Sequence, residues 1–241
     1  MDSLLTISNG QFLTVETVLR LAFVFPAMGA LLLILASTTV ASGLRLPLIT
    51  GGVALAGSAW LESLVLSSWH AAFEPAGTSY CVTGLPVDES ARVLAWAIGV
   101  PGLLVALGMA RIPWGRRGGH LLEQNAAVLV ALGMVSLFTG TAGFFLILWS
   151  GYLSCIRMPR HVLPSSRSQG YIAFGAVTLG MVIRSLGSLH LLPLGSDAAT
   201  VLVRGEVFRT LADMFCLLVP ALVLLVRVVS RNEGEAGRQV A

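Results

Sequence analysis

The chain contains no lysine: all fifteen of its basic residues are arginine. No side chain therefore offers a primary amine, and chemistry that runs through a lysine imine is excluded. Charge of either sign is scarce too. Charged residues make up 11% of the 241, against about a quarter in soluble domains, so this polypeptide is built for another solvent. The three cysteines, Cys81, Cys155 and Cys216, stand far apart and match neither a CxxC nor a metal-ligand spacing. Cys155 and Cys216 read as small apolar packing residues, and Cys81 as a loop thiol with no evident partner. There is no GxSxG elbow, no HExxH and no P-loop, so nothing supports an enzyme. The opening MDSLLTISNGQF lacks a basic n-region, and the first apolar run is expected to be a retained helix. Repeats, low-complexity tracts and linkers are missing as well, which leaves one domain as the simplest organisation.

What is present is hydrocarbon. Hydrophobic residues make up 56% of the chain and its mean hydropathy is +0.85. A helix needs about 20 mostly apolar residues to cross a bilayer. Runs of that kind extend from about Leu21 to Ser42, Leu46 to Phe73, Ala91 to Ala110, Gly170 to Leu186 and Val201 to Val229. The stretch Leu121 to Ile156 reads as one long tilted helix, as two short ones broken near Thr139–Gly143, or as a re-entrant hairpin. Charge placement favours two crossings there. Loop 111–120 carries Arg111, Arg116 and Arg117, segment 157–167 carries Arg157, Arg160 and Arg167, and loop 74–90 carries Glu74, Asp88 and Glu89 without arginine. The positive-inside rule puts the first two in the cytoplasm and the third outside. The expectation is an all-α bundle of seven transmembrane helices over residues 1–230, with the N-terminus outside. A short polar cytoplasmic tail, 231–241, is expected to be unstructured. The arginines, which set a net charge of +3, serve topology and do not imply nucleic-acid binding.

Several charged residues fall inside the apolar runs: Glu62, Arg92, Arg184, Arg209 and Asp213, with His70 beside Trp69 at a helix end. A charge at membrane depth costs about 2.5–3.5 kcal/mol on insertion scales, so such residues turn inward and pair. Arg209 and Asp213, four apart, share one helix face, and Glu62 has Arg184 or Arg92 as candidate partners. The cluster reads either as an ion or proton path, or as interhelical ion pairs that set helix register. The four histidines, His70, His120, His161 and His190, read as boundary or loop residues without metal-ligand spacing. Pro26, Pro101 and Pro220 fall within helices and are expected to kink them. The Gly51–Gly57 run reads as close helix packing.

Two of these runs resemble the microbial (bacteriorhodopsin-like) rhodopsins. In Arg92-Val-Leu-Ala95-Trp96 followed by Pro101, the arginine, tryptophan and proline stand at the spacing of that family's third helix. The last run, Arg209 to Leu217, is similar to the seventh helix, where an aspartate precedes the retinal-bearing lysine by four. Asp213 matches the aspartate and Leu217 takes the lysine's place. Trp60–Leu64 and Gly140-Thr141 are weakly similar too. The departures bear on function. The position of the primary counterion is Ala95, that of the cytoplasmic proton donor is Ala106, and Phe174 is the nearest substitute for the sixth helix's missing tryptophan. With no amine, a retinal Schiff base cannot form, and pumping by the family's mechanism goes with it.

The resemblance therefore implies a multi-pass, rhodopsin-like protein of the cell membrane that carries no covalent cofactor. It is expected to act as a structural or interaction subunit, as a homo-oligomer or within a larger membrane complex. The second expectation is a binder or transporter of an apolar ligand, a retinoid or carotenoid held non-covalently near Trp96, Pro101, Asp213 and Leu217. A metabolite carrier is a weaker third reading, disfavoured by the lack of internal repeats.

Overall fold

The computed structural model describes residues 5–110, a few positions between 172 and 183, and residues 197–240. The ambiguous stretch Leu121–Ile156, both arginine-rich segments, Phe174 and Arg184 lie outside the described residues. Four helices are described over their length: α1 (Asn9–Thr39), α2 (Ser42–Ala72), α3 (Glu89–Met109) and α4 (Ala198–Val240). Each is long and apolar enough to cross a membrane.

Burial shows why these are membrane helices and not the core of a soluble protein. On α1, Phe12, Val15, Leu19, Ala22, Pro26, Ala30 and Leu33 repeat every three or four residues and form one buried stripe. The other face is equally apolar yet exposed, with Met28 at 55%, Leu31 at 58% and Leu35 at 54%. In water that face would be a liability; in lipid it is the ordinary outer surface. Between the helices, Leu48, Leu55, Trp96, Leu103, Leu217 and Leu224 are fully buried in one core. The small residues of α2 let the helices close up: a Cβ on Gly51 would stand 2.6 Å from Leu224 Cδ2, and one on Gly52 2.7 Å from Ile34 Cγ1.

Three boundaries differ from the sequence reading. First, α1 starts at Asn9, well before Leu21. Ser8 and Gln11 form a capping box, with Gln11 N donating to Ser8 Oγ (3.2 Å) and Ser8 N to Gln11 Oε1 (2.8 Å). That closure starts the helix in the polar layer, where hydropathy carries no signal.

Second, loop 74–90 is partly a sheet. β2 (Phe73–Ala76) and β3 (Ser79–Val82) form an antiparallel hairpin, and β1 (Thr6–Ser8) joins the other edge of β3, with Ile7 opposite Tyr80. Gly77 turns the hairpin at φ +67°, the left-handed value that the first central residue of a type II′ turn requires. Aromatic packing pins this sheet to the bundle: Phe12 stacks on Tyr80 (3.9 Å) and Trp69 meets Phe73 (4.4 Å). Cys81, expected in a loop, stands in β3 opposite Thr6 and Glu74.

Third, α4 continues through the segment expected to be an unstructured tail and ends at Val240. Arg231 Nη1 donates to Ala110 O at the end of α3 (3.1 Å), and Asn232 Oδ1 accepts from Ala41 N at the α1–α2 turn (3.0 Å). With no proline after Pro220, each further residue extends an existing helix at low cost.

α3 begins at a cap that yields a prediction. Asp88 Oδ1 accepts from Ala91 N (3.0 Å) and from the Ser90 hydroxyl. The Ser90 bond, with the Ala91 N–H next, holds this carboxyl below the ordinary carboxylate range. A depressed pKa contributes stability above the unfolded value and loses it as pH falls through the folded one. Asp88→Ala should therefore cost about 1 kcal/mol near neutrality. The gap between variant and parent should narrow below about pH 4. Thermal unfolding across pH 3–7 checks this; a gap that widens in acid would contradict the cap.

Candidate functional site: a buried charge cluster between the third described helix and the last

The site is built by two facing stripes. On α3, Glu89, Arg92, Trp96 and Gly99 recur at three and four residues, and on α4 Glu206, Arg209, Thr210, Asp213 and Leu217 do the same. Each set lies on one helix face, and the two faces meet. Arg92 is 0% exposed, which would be prohibitive for an unpaired guanidinium. Its Nη2 donates to Glu206 Oε2 (2.8 Å) and its Nη1 to Glu89 Oε1 (3.2 Å), while Nε lies 3.8 Å from Asp213 Oδ2. Arg209 Nη1 reaches the same two glutamates, Glu89 at 2.7 Å and Glu206 at 3.2 Å. Deeper in the bundle, Trp96 Nε1 donates to Asp213 Oδ1.

Among the described residues, three carboxylates therefore meet two guanidiniums. The cluster is also graded in depth. Glu89 has a side chain 47% exposed, that of Arg209 is 24% exposed, and those of Glu206, Arg92 and Asp213 are at most 3% exposed. Such an arrangement ties the two helices together and runs from the exposed Glu89 to the buried Asp213.

The structure thus joins three of the sequence candidates, Arg92, Arg209 and Asp213, and pairs Arg92 with Asp213 at 3.8 Å, as the sequence suggests. It adds two glutamates: Arg92 lies closer to Glu206 than to Asp213, and Arg209 reaches Glu89 and Glu206. Glu62 is buried on α2 at 1% exposure; Arg184, one of its two candidate partners, lies outside the described residues. Trp96, Pro101 and Leu217 sit buried in the helix core. His70 has a carboxylate neighbour, its Nε2 standing 3.2 Å from Glu16 Oε1, which Arg20 also engages.

As members of the cluster, sequence reasoning passed over Glu206 and Glu89, although the spacing rule that puts Arg209 and Asp213 on one face reaches both. Glu206 is three before Arg209 and Glu89 three before Arg92. It also missed Ser58, whose hydroxyl donates to Ala95 O (2.8 Å) and Ala54 O (3.0 Å). Where the resemblance places a counterion carboxylate, α3 thus presents a methyl group and a carbonyl bound by α2. At that point Gly99 leaves room for the contact, because a Cβ there would meet Ser58 Oγ and Leu217 Cδ2 and force them to shift.

No family model matches the sequence, and no curated protein matches it. Solved structures do. Xanthorhodopsin, described as a light-driven ion pump with dual chromophore, superposes with a TM-score of 0.79 at 17% identity, over 97% of this chain and 99% of its own. A thermophilic rhodopsin gives 0.78 at 18% identity, over 96% and 99%. The rhodopsin of Exiguobacterium sibiricum gives 0.63 at 16%, over 94% and 100%. At such identities the likeness is one of fold, and it extends over nearly the whole of each chain.

Proposed function

We propose that this chain, a multi-pass membrane protein with the seven-helix fold of the microbial rhodopsins, works without a covalent retinal and without light-driven pumping, as a structural or interaction subunit of the cell membrane. The observation that carries the reading is Leu217. It stands where the family pattern has the chromophore's lysine, is 1% exposed, and packs in the core with Trp96, Val100 and Val177. A retinylidene link requires a primary amine, and neither Leu217 nor any other side chain supplies one. Retinal as a tethered cofactor does not fit these residues. The charge cluster then serves as interhelical pairing, with Glu206–Arg92 at its centre.

Non-covalent binding of a retinoid or carotenoid is the competing reading. Against it, Asp213 engages the Trp96 N–H and lies beside the Arg92 guanidinium, and a charged pair is a poor wall for a neutral polyene.

Absorption spectroscopy separates the two. Protein purified from membranes should show no visible band, and all-trans-retinal added in excess should wash away without leaving one. A coloured preparation whose pigment survives washing would overturn the proposal. Co-purification of a stoichiometric membrane partner, or of further copies of this chain, would support it.

A further inference from the structure

A second cluster of titratable groups lies apart from the first, where α1 and α2 run into the small sheet. Glu16 on α1 is 7% exposed, and its Oε1 meets two cationic side chains. Arg20 Nη2 stands 2.5 Å away, one turn along the same helix, and His70 Nε2 stands 3.2 Å away, on α2. Among the described residues His70 is the one ionisable partner of Glu16 on another helix. From Arg45 to His70 the helix rises about 37 Å, more than a hydrocarbon layer of about 30 Å. With Arg45 in the polar layer at one end, His70 reaches it at the other, and the chain enters β2 soon after, at Phe73. Its side chain is 47% exposed there, within reach of protons from water.

Histidine is the side chain that changes charge near neutrality. Neutral, it offers a carboxylate one hydrogen bond; protonated, it adds a cation to the same contact. That attraction exists only where the folded bundle holds the two groups together. The folded state therefore gains as pH falls through the histidine range and loses the gain as pH rises. Other charges stand aside. Arg20 reaches His70 only through the shared carboxylate. Asp88, whose N–H binds Ser68 on α2, turns its carboxylate to Ser90 and Ala91, and Asp197 on α4 caps Thr200. Among the described residues neither these two nor Glu74 of β2 forms an ion pair with His70. The contact is also joined to the sheet. His70 packs against Phe12 at a steep angle (78°, 5.7 Å), and Tyr80 of β3 stacks on that same ring.

We infer that Glu16 and His70 form a pH-responsive clasp between α1 and α2, which tightens as the water on the sheet side turns acidic and steadies the sheet. β1 leads into α1 and α2 leads into β2, so a looser clasp loosens both outer strands of the sheet at once. Arg20 damps the response, because its guanidinium already offsets part of the Glu16 charge.

Hydrogen exchange of the full chain in nanodiscs, at about pH 5 and pH 8 and corrected for the intrinsic pH dependence of exchange, tests it. Protection of the β1 and β3 amides should be about threefold higher in acid. His70→Gln keeps a donor for Glu16 but takes up no proton, and should abolish that difference. Glu16→Gln, which removes the charge His70 answers, should abolish it too. Arg20→Gln should enlarge it, since Glu16 then has His70 alone. Should His70→Gln fail to fold, the other two variants carry the same comparison. Equal protection of the parent at both pH values would overturn the inference, as would a ratio that survives in Glu16→Gln or shrinks in Arg20→Gln. So would a His70→Gln variant that loses protection equally at both pH values and keeps the parent's ratio, because packing alone would then explain the residue.

Discussion

Arg92→Gln is expected to be the most damaging single polar substitution in the described bundle. It removes the fully buried cation that faces Glu206 and Asp213, themselves 3% and 1% exposed. Two carboxylates are then left at membrane depth with weaker compensation. Removing one partner of a buried pair costs about 3–5 kcal/mol, a fall in thermal midpoint on the order of 10 °C for a chain of this size. Arg209 does not replace it, since its guanidinium reaches Glu206 from the exposed side, at 3.2 Å. The diagnostic is the double variant. Arg92→Gln with Glu206→Gln takes away both members of the 2.8 Å pair and should be better tolerated than Arg92→Gln alone. Arg92→Gln with Asp213→Asn should recover less, because that separation is 3.8 Å. Thermal unfolding in nanodiscs provides the readout. Equal losses in the single and both double variants would show that the charges contribute independently and that the cluster is not a pairing device.

The second large effect is steric. Gly99→Val should cost about 3 kcal/mol, through overpacking and loss of a buried hydrogen bond. The new Cβ would collide with Ser58 Oγ and Leu217 Cδ2, and the Ser58 hydroxyl could no longer hold Ala95 O. Gly99→Ala is the gentler probe. Its cost should shrink when Ser58→Ala removes the colliding oxygen, a coupling that a double-mutant cycle measures. If Gly99→Val unfolds at the parent temperature, α2 and α3 do not approach here as closely as described.

The four described crossings were legible because lipid imposes a crude, local demand: about 20 apolar residues in succession. Their polar ends were not, because outside the hydrocarbon layer hydropathy is silent. The start of α1 depends on the Ser8–Gln11 cap, and the length of α4 on contacts of Arg231 and Asn232 with helices far away in sequence. The small sheet was hidden for a related reason: Thr6 pairs with Cys81 across most of two helices, and only the hairpin turn at Gly77 is local.

The charge cluster was half legible. Helical spacing puts Arg209 and Asp213 on one face, and the same rule extends that face to Glu206. Spacing within a helix does not say which residues of another helix lie opposite. Arg92 and Glu206 are 114 positions apart, and only the packing of α3 against α4 sets them 2.8 Å from each other.

Two things about this protein belong to the amino-acid sequence by itself. Its solvent is the bilayer, because hydrophobic burial follows composition and run length. Its side chains can form no imine, because an amine absent from the composition cannot be restored by any fold. Everything that depends on distance between helices was decided by tertiary structure: the partner of each arginine, the wall formed by Ser58, Gly99 and Leu217, and the meeting of His70 with Glu16. Coulombic and contact energies fall away over a few ångströms, and only the assembled bundle brings such residues within that range.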